Sequence, residues 1–334
     1  MKQTKEIYIL GIGSYLPRRI LTNAYFESRM DTTDEWIVSR TGIRERHIAD
    51  DDEYTSDMAT EAAKIALEDA KMSAQEIDCI LVCSVTFDMA FPATACIVQK
   101  KLGHSASCPC MDIEAGCSGL IYSFEVAAGL LQLGHYKNIL VIASDKLTSI
   151  TDWNDRATCV LFGDGSSAFV LSTEKNGAKA LLVDTLLSAE GKDAEHLLQP
   201  AGGSAMPASH ETVDKRLHFL HMNGREVFKC AVRGMIAVLE KILQRNQIQP
   251  SAIRYFIPHQ ANLRIIESIA DSVSMAMDRF IVVLQNTGNT SAGSSGIALD
   301  HAYRGGKLAK DDLLAFVTFG GGMTCASAII RWIA

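Results

Sequence analysis

Between residues 77 and 171 the apolar positions of the chain fall into two alternating rhythms. Short, nearly unbroken apolar runs at 77–85, 107–113 and 138–144 have the length and composition of strands covered on both faces. Between them, over 93–102 and 117–133, apolar residues recur every three or four positions, the period of a helix with one face in a core. Leu120, Ile121, Phe124, Ala127, Ala128 and Leu131 carry the second of these stripes, and Gly134 supplies its stop. A further strand is expected over 159–171, across "GDGSSA". The same order then returns: strand at 253–257, helix at 262–273, strand at 280–284, helix at 294–303, strands at 313–319 and 324–332. Such alternation predicts an α/β fold, and its repetition predicts two copies of one βαβ-containing unit. The boundary falls near 172–178, giving halves 1–174 and 175–334. In that register "EAGCSGL" (114–120) corresponds to "TGNTSAG", and the end of the 77–85 run corresponds to "PHQAN". Chemistry is expected where those turns meet.

Composition narrows the class. The chain has 334 residues, 48% of them apolar, enough for a full core. Its formal charge is −7, so nothing suggests a nucleic-acid footprint. No apolar run approaches a spanning helix of about 18 residues, and "MKQTKEIYILGIGSYLP" lacks a signal-peptide core of usual length. Nine cysteines, odd in number and scattered through apolar segments, read as reduced thiols of a cytoplasmic protein. Cys108 and Cys110 have no second Cys or His pair at ligand spacing, so no structural metal is expected.

Candidate chemistry sits in the glycine-rich turns. Cys117 lies at a strand-to-helix turn, where free backbone N–H groups and the positive end of the helix favour a thiolate; the alternative is a small buried hydrophobe. His259 falls in the turn of "FIPHQANLRII" and can reach across a pocket, or be a hydrogen-bonded core residue. Asn289, in "QNTGNTSAG", is an amide donor for the same pocket or a turn former. Gly320–Gly322, in "TFGGGMT", let a backbone N–H come close to a ligand, as an oxyanion hole needs, or form a bulge. These residues coincide at corresponding turns of the two copies, which argues for one shared site.

The segments "DTTDEWIVSRTGIRERHIA", "AGCSGL", "LFGDGSSA", "NGREVFK", "PHQANLRII", "GNTSAG" and "FGGGMT", in this order along nearly the whole chain, resemble the β-ketoacyl-(acyl-carrier-protein) synthase III family. The resemblance implies the thiolase-like fold, two similar halves in five layers, α/β/α/β/α, and a homodimer without cofactor or metal. It implies a reaction initiating fatty acid biosynthesis: Cys117 takes an acyl group from acyl-CoA, with the Cys117 and Gly321 N–H groups holding the oxyanion. Malonyl-acyl carrier protein then loses CO₂ to an enolate held by His259 and Asn289, and the enolate attacks the acyl-enzyme. It also implies that Trp36 and Arg156 sandwich the adenine of CoA, that Arg40 lies near its phosphates, and that Gly224 and Asn262 line the pantetheine tunnel. Phe319 would contact substrate, and Phe91 would reach into the partner's acyl pocket. Arg225, Lys229 and Arg264 would form a basic patch for the carrier protein, and the segment 191–222 would cap the site.

Two departures from that pattern stand out. Asp271 and Ser272 occupy positions where relatives often carry lysines, which weakens or reorients carrier docking. Glu114, three residues before the thiol, would raise the pKa of Cys117 if it faced it, so it is expected to point away. Three rival readings remain: a secondary-metabolite ketosynthase or acyltransferase of the same fold, a cysteine thioester hydrolase, and a non-catalytic scaffold. The hydrolase would need an acid to orient His259, and none stands out. The scaffold leaves the coincidence of the four turns without a cause. His210, His218 and His221 lack the Cys or carboxylate pattern of a metal site.

Overall fold

The computed structural model describes residues 5–334. Among these, nine strands hydrogen-bond side by side: β1 (Ile7–Tyr15), β2 (Cys79–Cys83), β3 (Cys110–Ile113), β4 (Asn138–Lys146), β5 (Asp164–Ser172), β6 (Ala180–Ala189), β7 (Ile253–Pro258), β8 (Leu313–Gly320) and β9 (Thr324–Trp332). Their order is β7-β8-β9-β6-β1-β5-β4-β2-β3. In β4, Ile139, Val141 and Ala143 enter one core while Leu140 and Ile142 enter another. Neither face meets solvent, which is why this run is apolar throughout rather than alternating.

The duplication is visible in the pairing. β3 and β4 flank β2 in parallel, β5 is antiparallel to β4, and β1 is antiparallel to β5. In the other half β7 is parallel to β8, β9 antiparallel to β8, and β6 antiparallel to β9. The place that β3 holds in the first half is taken in the second by one parallel bridge, Phe256 to Phe280. Residues 280–284 therefore do not make the expected strand. The side-chain oxygen of Gln260 takes the N–H groups of Val283 (2.9 Å) and Leu284 (3.2 Å), and the chain turns into the short helix Leu284–Thr287. The expected strand over 159–171 also starts late, at Asp164, because Arg156–Cys159 is a turn of helix. β3 covers only the end of 107–113, starting after Pro109, which has no N–H to give to a ladder. Residues 174 and 175 lie in the connection from β5 to β6.

Six longer helices complete five layers: α1 (Thr55–Ala70), α2 (Thr94–Lys101), α3 (Gly119–Leu133), α4 (Gly224–Arg245), α5 (Leu263–Ser272) and α6 (Gly293–Arg304). α1 and α2 cover the outer face of the first half, α4 and α5 that of the second. α3 and α6 lie between the halves, where Phe124 of α3 meets Phe169 of β5 edge-on at 5.0 Å and Phe316 of β8 at 6.3 Å. α3 with its leading turn, Gly116–Leu133, is the one described helix long and apolar enough to cross a membrane, and half of it is buried here. It reaches that length by including glycines, serines and Glu125 among its apolar residues. The turns after β2, β3, β7 and β8 carry Phe87, Cys117, His259 and Gly321, and all four residues border one cavity, as expected at the carboxyl ends of parallel strands.

Glycine sets how closely α1 approaches β1. A Cβ on Gly11 would stand 2.1 Å from the Ala66 carbonyl oxygen, and one on Gly13 2.4 Å from that of Ala62. Gly11→Ala should lower the unfolding free energy by about 1–3 kcal/mol, since overpacking forces the helix off its sheet. Chemical denaturation checks this; an unchanged midpoint would show that α1 can retreat freely.

Candidate active site

The glycines around Cys117 answer to a close backbone approach. Gly116 has φ of +54°, and a Cβ on it would stand 2.6 Å from the Gly321 nitrogen. A Cβ on Gly320 would stand 2.3 Å from the Cys117 nitrogen. Two turns from opposite halves thus touch backbone to backbone, with the amides of Cys117 and Gly321 side by side. Side chains stitch them together: Ser118 Oγ donates to the Thr324 carbonyl (3.1 Å), and Thr324 Oγ1 donates to that of Ala115 (2.8 Å).

Cys117, His259, Asn289, Phe319 and Gly321 border a single cavity of about 1080 Å³. His259 is buried at the end of β7, its N–H bound to the Val317 carbonyl (2.9 Å). Its Nδ1 lies 2.7 Å from Ser294 Oγ, which also accepts the Gln260 N–H (3.2 Å). The Ser294 hydroxyl carries one proton, and the acceptor it finds is Nδ1. The neutral ring therefore holds its own proton on Nε2. Burial pushes the imidazole pKa down to about 4, so the ring is uncharged at neutral pH. Asn289 is oriented just as definitely. Its Oδ1 accepts the Ser291 N–H (2.9 Å), which leaves Nδ2 as a donor on a residue that borders the cavity. The site thus offers two neutral donors near a thiol.

Opposing influences act on the thiol itself. Burial pushes Cys117 up to about 12, the fully buried Asp145 adds to the rise, and the Ser291 hydroxyl, donating to the sulfur at 3.4 Å, only opposes it. Desolvation and the helix start therefore pull the thiol in opposite directions. Ser291, Ser294 and Gln260 went unnoticed in the sequence although they lie inside the quoted motifs, because their partners are 174, 35 and more than 20 positions away. Asp145 left no signal beyond being a charge in an apolar strand.

At the mouth, Trp36 of the short helix Asp34–Thr41 has the Arg40 guanidinium 4.8 Å and that of Arg156 4.9 Å from its ring centre. A base between Trp36 and Arg156 needs roughly 7 Å, two van der Waals contacts, so Arg156 must first swing away. Its other ties are exposed and both go to Asp31, a hydrogen bond from Nη1 to the backbone carbonyl and the carboxylate at 3.9 Å. Asn262 caps α5 and donates to the Arg40 carbonyl (3.0 Å), joining the two rim elements. Gly224, Arg225, Lys229 and Arg264 border the same cavity; Lys229 is paired with Glu226 at 2.8 Å. Phe91 is 85% exposed and does not border the cavity of its own chain. Glu114 borders the cavity, but the carboxylate that acts on the thiol is Asp145. From 191–222, Leu197, Leu220 and Met222 form part of the cavity wall. His218 there pairs with Thr212 (2.9 Å), and among the described residues no three metal-ligating side chains come together.

Residues 111–191 match the family described as 3-oxoacyl-[acyl-carrier-protein] synthase III, and residues 243–332 match its C-terminal part. A β-ketoacyl-[acyl-carrier-protein] synthase III of Caldanaerobacter subterraneus is 49% identical over 97% of both chains. The crystal structure of the 3-oxoacyl-[acyl-carrier-protein] synthase III of Aquifex aeolicus is 40% identical, with a TM-score of 0.88 over 98% of this chain and all of that one. The priming β-ketosynthase of the R1128 polyketide pathway has a TM-score of 0.89 at 29% identity, covering all of this chain and 98% of that one.

The buried imidazole gives a pH signature. An unfolded chain protonates this histidine near 6.5 while the folded one resists to about 4, so its contribution weakens stability as pH falls through that window. Nitrogen-15 NMR of labelled histidines should show His259 as the neutral, Nε2-protonated ring down to about pH 5. A His259 resonance titrating near 6.5 would overturn this assignment.

Proposed function

The chain belongs to the β-ketoacyl-[acyl-carrier-protein] synthase III family, and on that premise we propose how its own residues divide the decarboxylative condensation of an acyl-CoA primer with malonyl-acyl carrier protein. The observation that carries this reading is the pair of neutral donors, His259 Nε2–H and Asn289 Nδ2, sharing a cavity with a thiol.

In the first half-reaction Cys117 attacks the thioester carbonyl, the carbon–sulfur bond to CoA breaks, and an acyl-enzyme remains. The oxygen that gains charge lies against the adjoining N–H groups of Cys117 and Gly321, fixed by the contact of their turns. Each such donor is typically worth about 3–4 kcal/mol of barrier. In the second, the malonyl carbon–carboxylate bond breaks, CO₂ leaves, and the electron pair moves onto the thioester oxygen as an enolate. His259 and Asn289 donate to that oxygen. Neutral donors suit the step, since they lose no strength to a resident counter-charge and need no proton removed. The enolate carbon then attacks the acyl group, Cys117 leaves, and a 3-oxoacyl thioester departs. The reaction as written uses no cofactor.

The rim supports the partner assignments. Trp36 with Arg156 presents stacking surfaces to the CoA base and Arg40 a charge to its phosphates; Gly224, Asn262 and Phe319 border the cavity that would take the pantetheine arm. Arg225, Lys229 and Arg264 present positive charge to an acidic carrier protein. Phe91, apolar and exposed, suits a homodimer in which it enters the partner's acyl pocket, and we place the division between the halves at residues 174 and 175. Work in the cytoplasm fits nine unpaired cysteines. The identity of 49% to a synthase III against 29% to a priming polyketide ketosynthase favours fatty acid initiation over secondary metabolism. A hydrolase is disfavoured because His259 is oriented by a serine hydroxyl rather than a carboxylate.

Cys117→Ala should abolish the acyl-enzyme, whereas His259→Ala and Asn289→Ala should still acylate and fail to release CO₂, by factors of about 100 or more. Mass spectrometry of the trapped protein and CO₂ release separate the two; equal loss of both half-reactions would contradict the division of roles. Trp36→Ala should raise KM for acyl-CoA roughly 10-fold, in keeping with the lost stacking contact, with kcat little changed. Steady-state kinetics at saturating malonyl-acyl carrier protein tests it.

A further inference from the structure

We propose that Arg46 is a positioning residue for decarboxylation: its buried guanidinium clamps residues 160–163, and that segment holds Asn289 in place for the enolate. This rests on Asn289 being an enolate donor, as proposed above.

Arg46 belongs to a two-stranded ribbon, Arg19–Thr22 paired with Glu45–Ile48, and its side chain is fully buried. Among the described residues it makes no ion pair, and every acceptor it finds is uncharged. Nη2 donates to the Val160 carbonyl (2.6 Å), and Nη1 donates to Asn23 Oδ1 (2.9 Å) and to the carbonyls of Leu21 (3.2 Å) and Arg44 (3.5 Å). The guanidinium carbon lies 4.6 Å from the centre of the Phe26 ring, and Nε has no acceptor. Burial pushes the pKa down to about 10, which still leaves the group charged at neutral pH. A lone interior cation carries a penalty that a hydrocarbon of the same volume would not. What a hydrocarbon could not do is hold several backbone segments at a fixed separation with a planar fork of donors.

The bond to Val160 is the one that reaches the site. Residues 160–163 join the helical turn Arg156–Cys159 to β5, and Asn289 is registered on them. Its N–H donates to the Leu161 carbonyl (2.9 Å), its own carbonyl accepts the Gly163 N–H (3.0 Å), and it forms a parallel bridge with Phe162. The ladder of β5 with β4 fixes one end of this segment at Asp164, and Arg46 fixes the other at Val160. The arginine stem also presses on the bridge directly. A Cβ on Gly163 would stand 3.2 Å from Arg46 Cβ, and one on Gly288, the residue before Asn289, would stand 2.9 Å from it. Because Asn289 Oδ1 is tied to the Ser291 N–H, the donor Nδ2 goes where this backbone goes. Arg46 does not border the cavity, so it reaches the reaction only through what it holds. Cys117 and His259 ride on other turns, those after β3 and β7, and the loss of Arg46 should therefore fall on the second half-reaction. A displacement of about 1 Å in such a donor can cost on the order of 100-fold in rate.

Comparing the half-reactions in full-length Arg46→Gln, whose amide cannot span the same set of acceptors, tests the assignment. Acylation of Cys117 at saturating acyl-CoA, followed by mass spectrometry, should stay within about 2-fold of the wild type. CO₂ release from malonyl-acyl carrier protein by the acylated protein should fall about 10- to 100-fold. In the Asn289→Ala background the same substitution should change CO₂ release by less than about 2-fold, since a group that acts through Asn289 has nothing left to position. A merely structural arginine would instead slow both half-reactions, and its loss would multiply with that of Asn289. Either result, or wild-type CO₂ release in Arg46→Gln, would overturn the role of Arg46 alone. Wild-type CO₂ release in Asn289→Ala would overturn the reading of the site itself. Should Arg46→Gln not fold, Arg46→Lys, which keeps the interior charge but lacks the fork, takes its place under the same expectations.

Discussion

Everything at this site depends on two glycine turns, one from each half, meeting backbone to backbone. A methyl group at Gly116 or Gly320 would collide with the facing amide, at 2.6 and 2.3 Å. That contact sets the Cys117 and Gly321 amides beside each other and lets Ser118 and Thr324 lock the turns. The central helices and the ring of Phe124 hold the two halves in the register that makes the contact possible. The fold is in this sense a frame for bringing two glycine turns together beside a sulfur.

The electrostatics of the cavity follow from the same enclosure. Burial drives thiol and imidazole in opposite directions, to about 12 and about 4, and both outcomes favour the uncharged form. A pocket lined with neutral donors meets a developing oxyanion without first giving up a partner of its own, and the low dielectric strengthens each hydrogen bond. At the sulfur, burial and the backbone dipoles of the helix start act against each other.

Much of this was legible in the sequence because the strands have no solvent face, so that their apolar runs stand out against amphipathic helices. The duplicated order, the cysteine, the histidine, the asparagine and the glycine run could all be read from local pattern. What escaped were matters of partnership across the fold. The run 280–284 has strand composition, yet one buried amide, Gln260, takes the N–H groups a ladder would use. Ser294 and Ser291 look like filler in a glycine-rich turn, and only the third dimension shows that one selects the tautomer of His259 while the other touches the sulfur. Asp145 reads as a strand-end charge until its enclosure is seen.

Phe124 has one further implication. Its ring rests on Phe169 from the first copy and Phe316 from the second, so the middle core belongs to neither copy alone. A change of volume on either side of this shared aromatic contact has to be answered on the other. Severing the polypeptide between the repeats would therefore leave two fragments each with half of an unfinished heart.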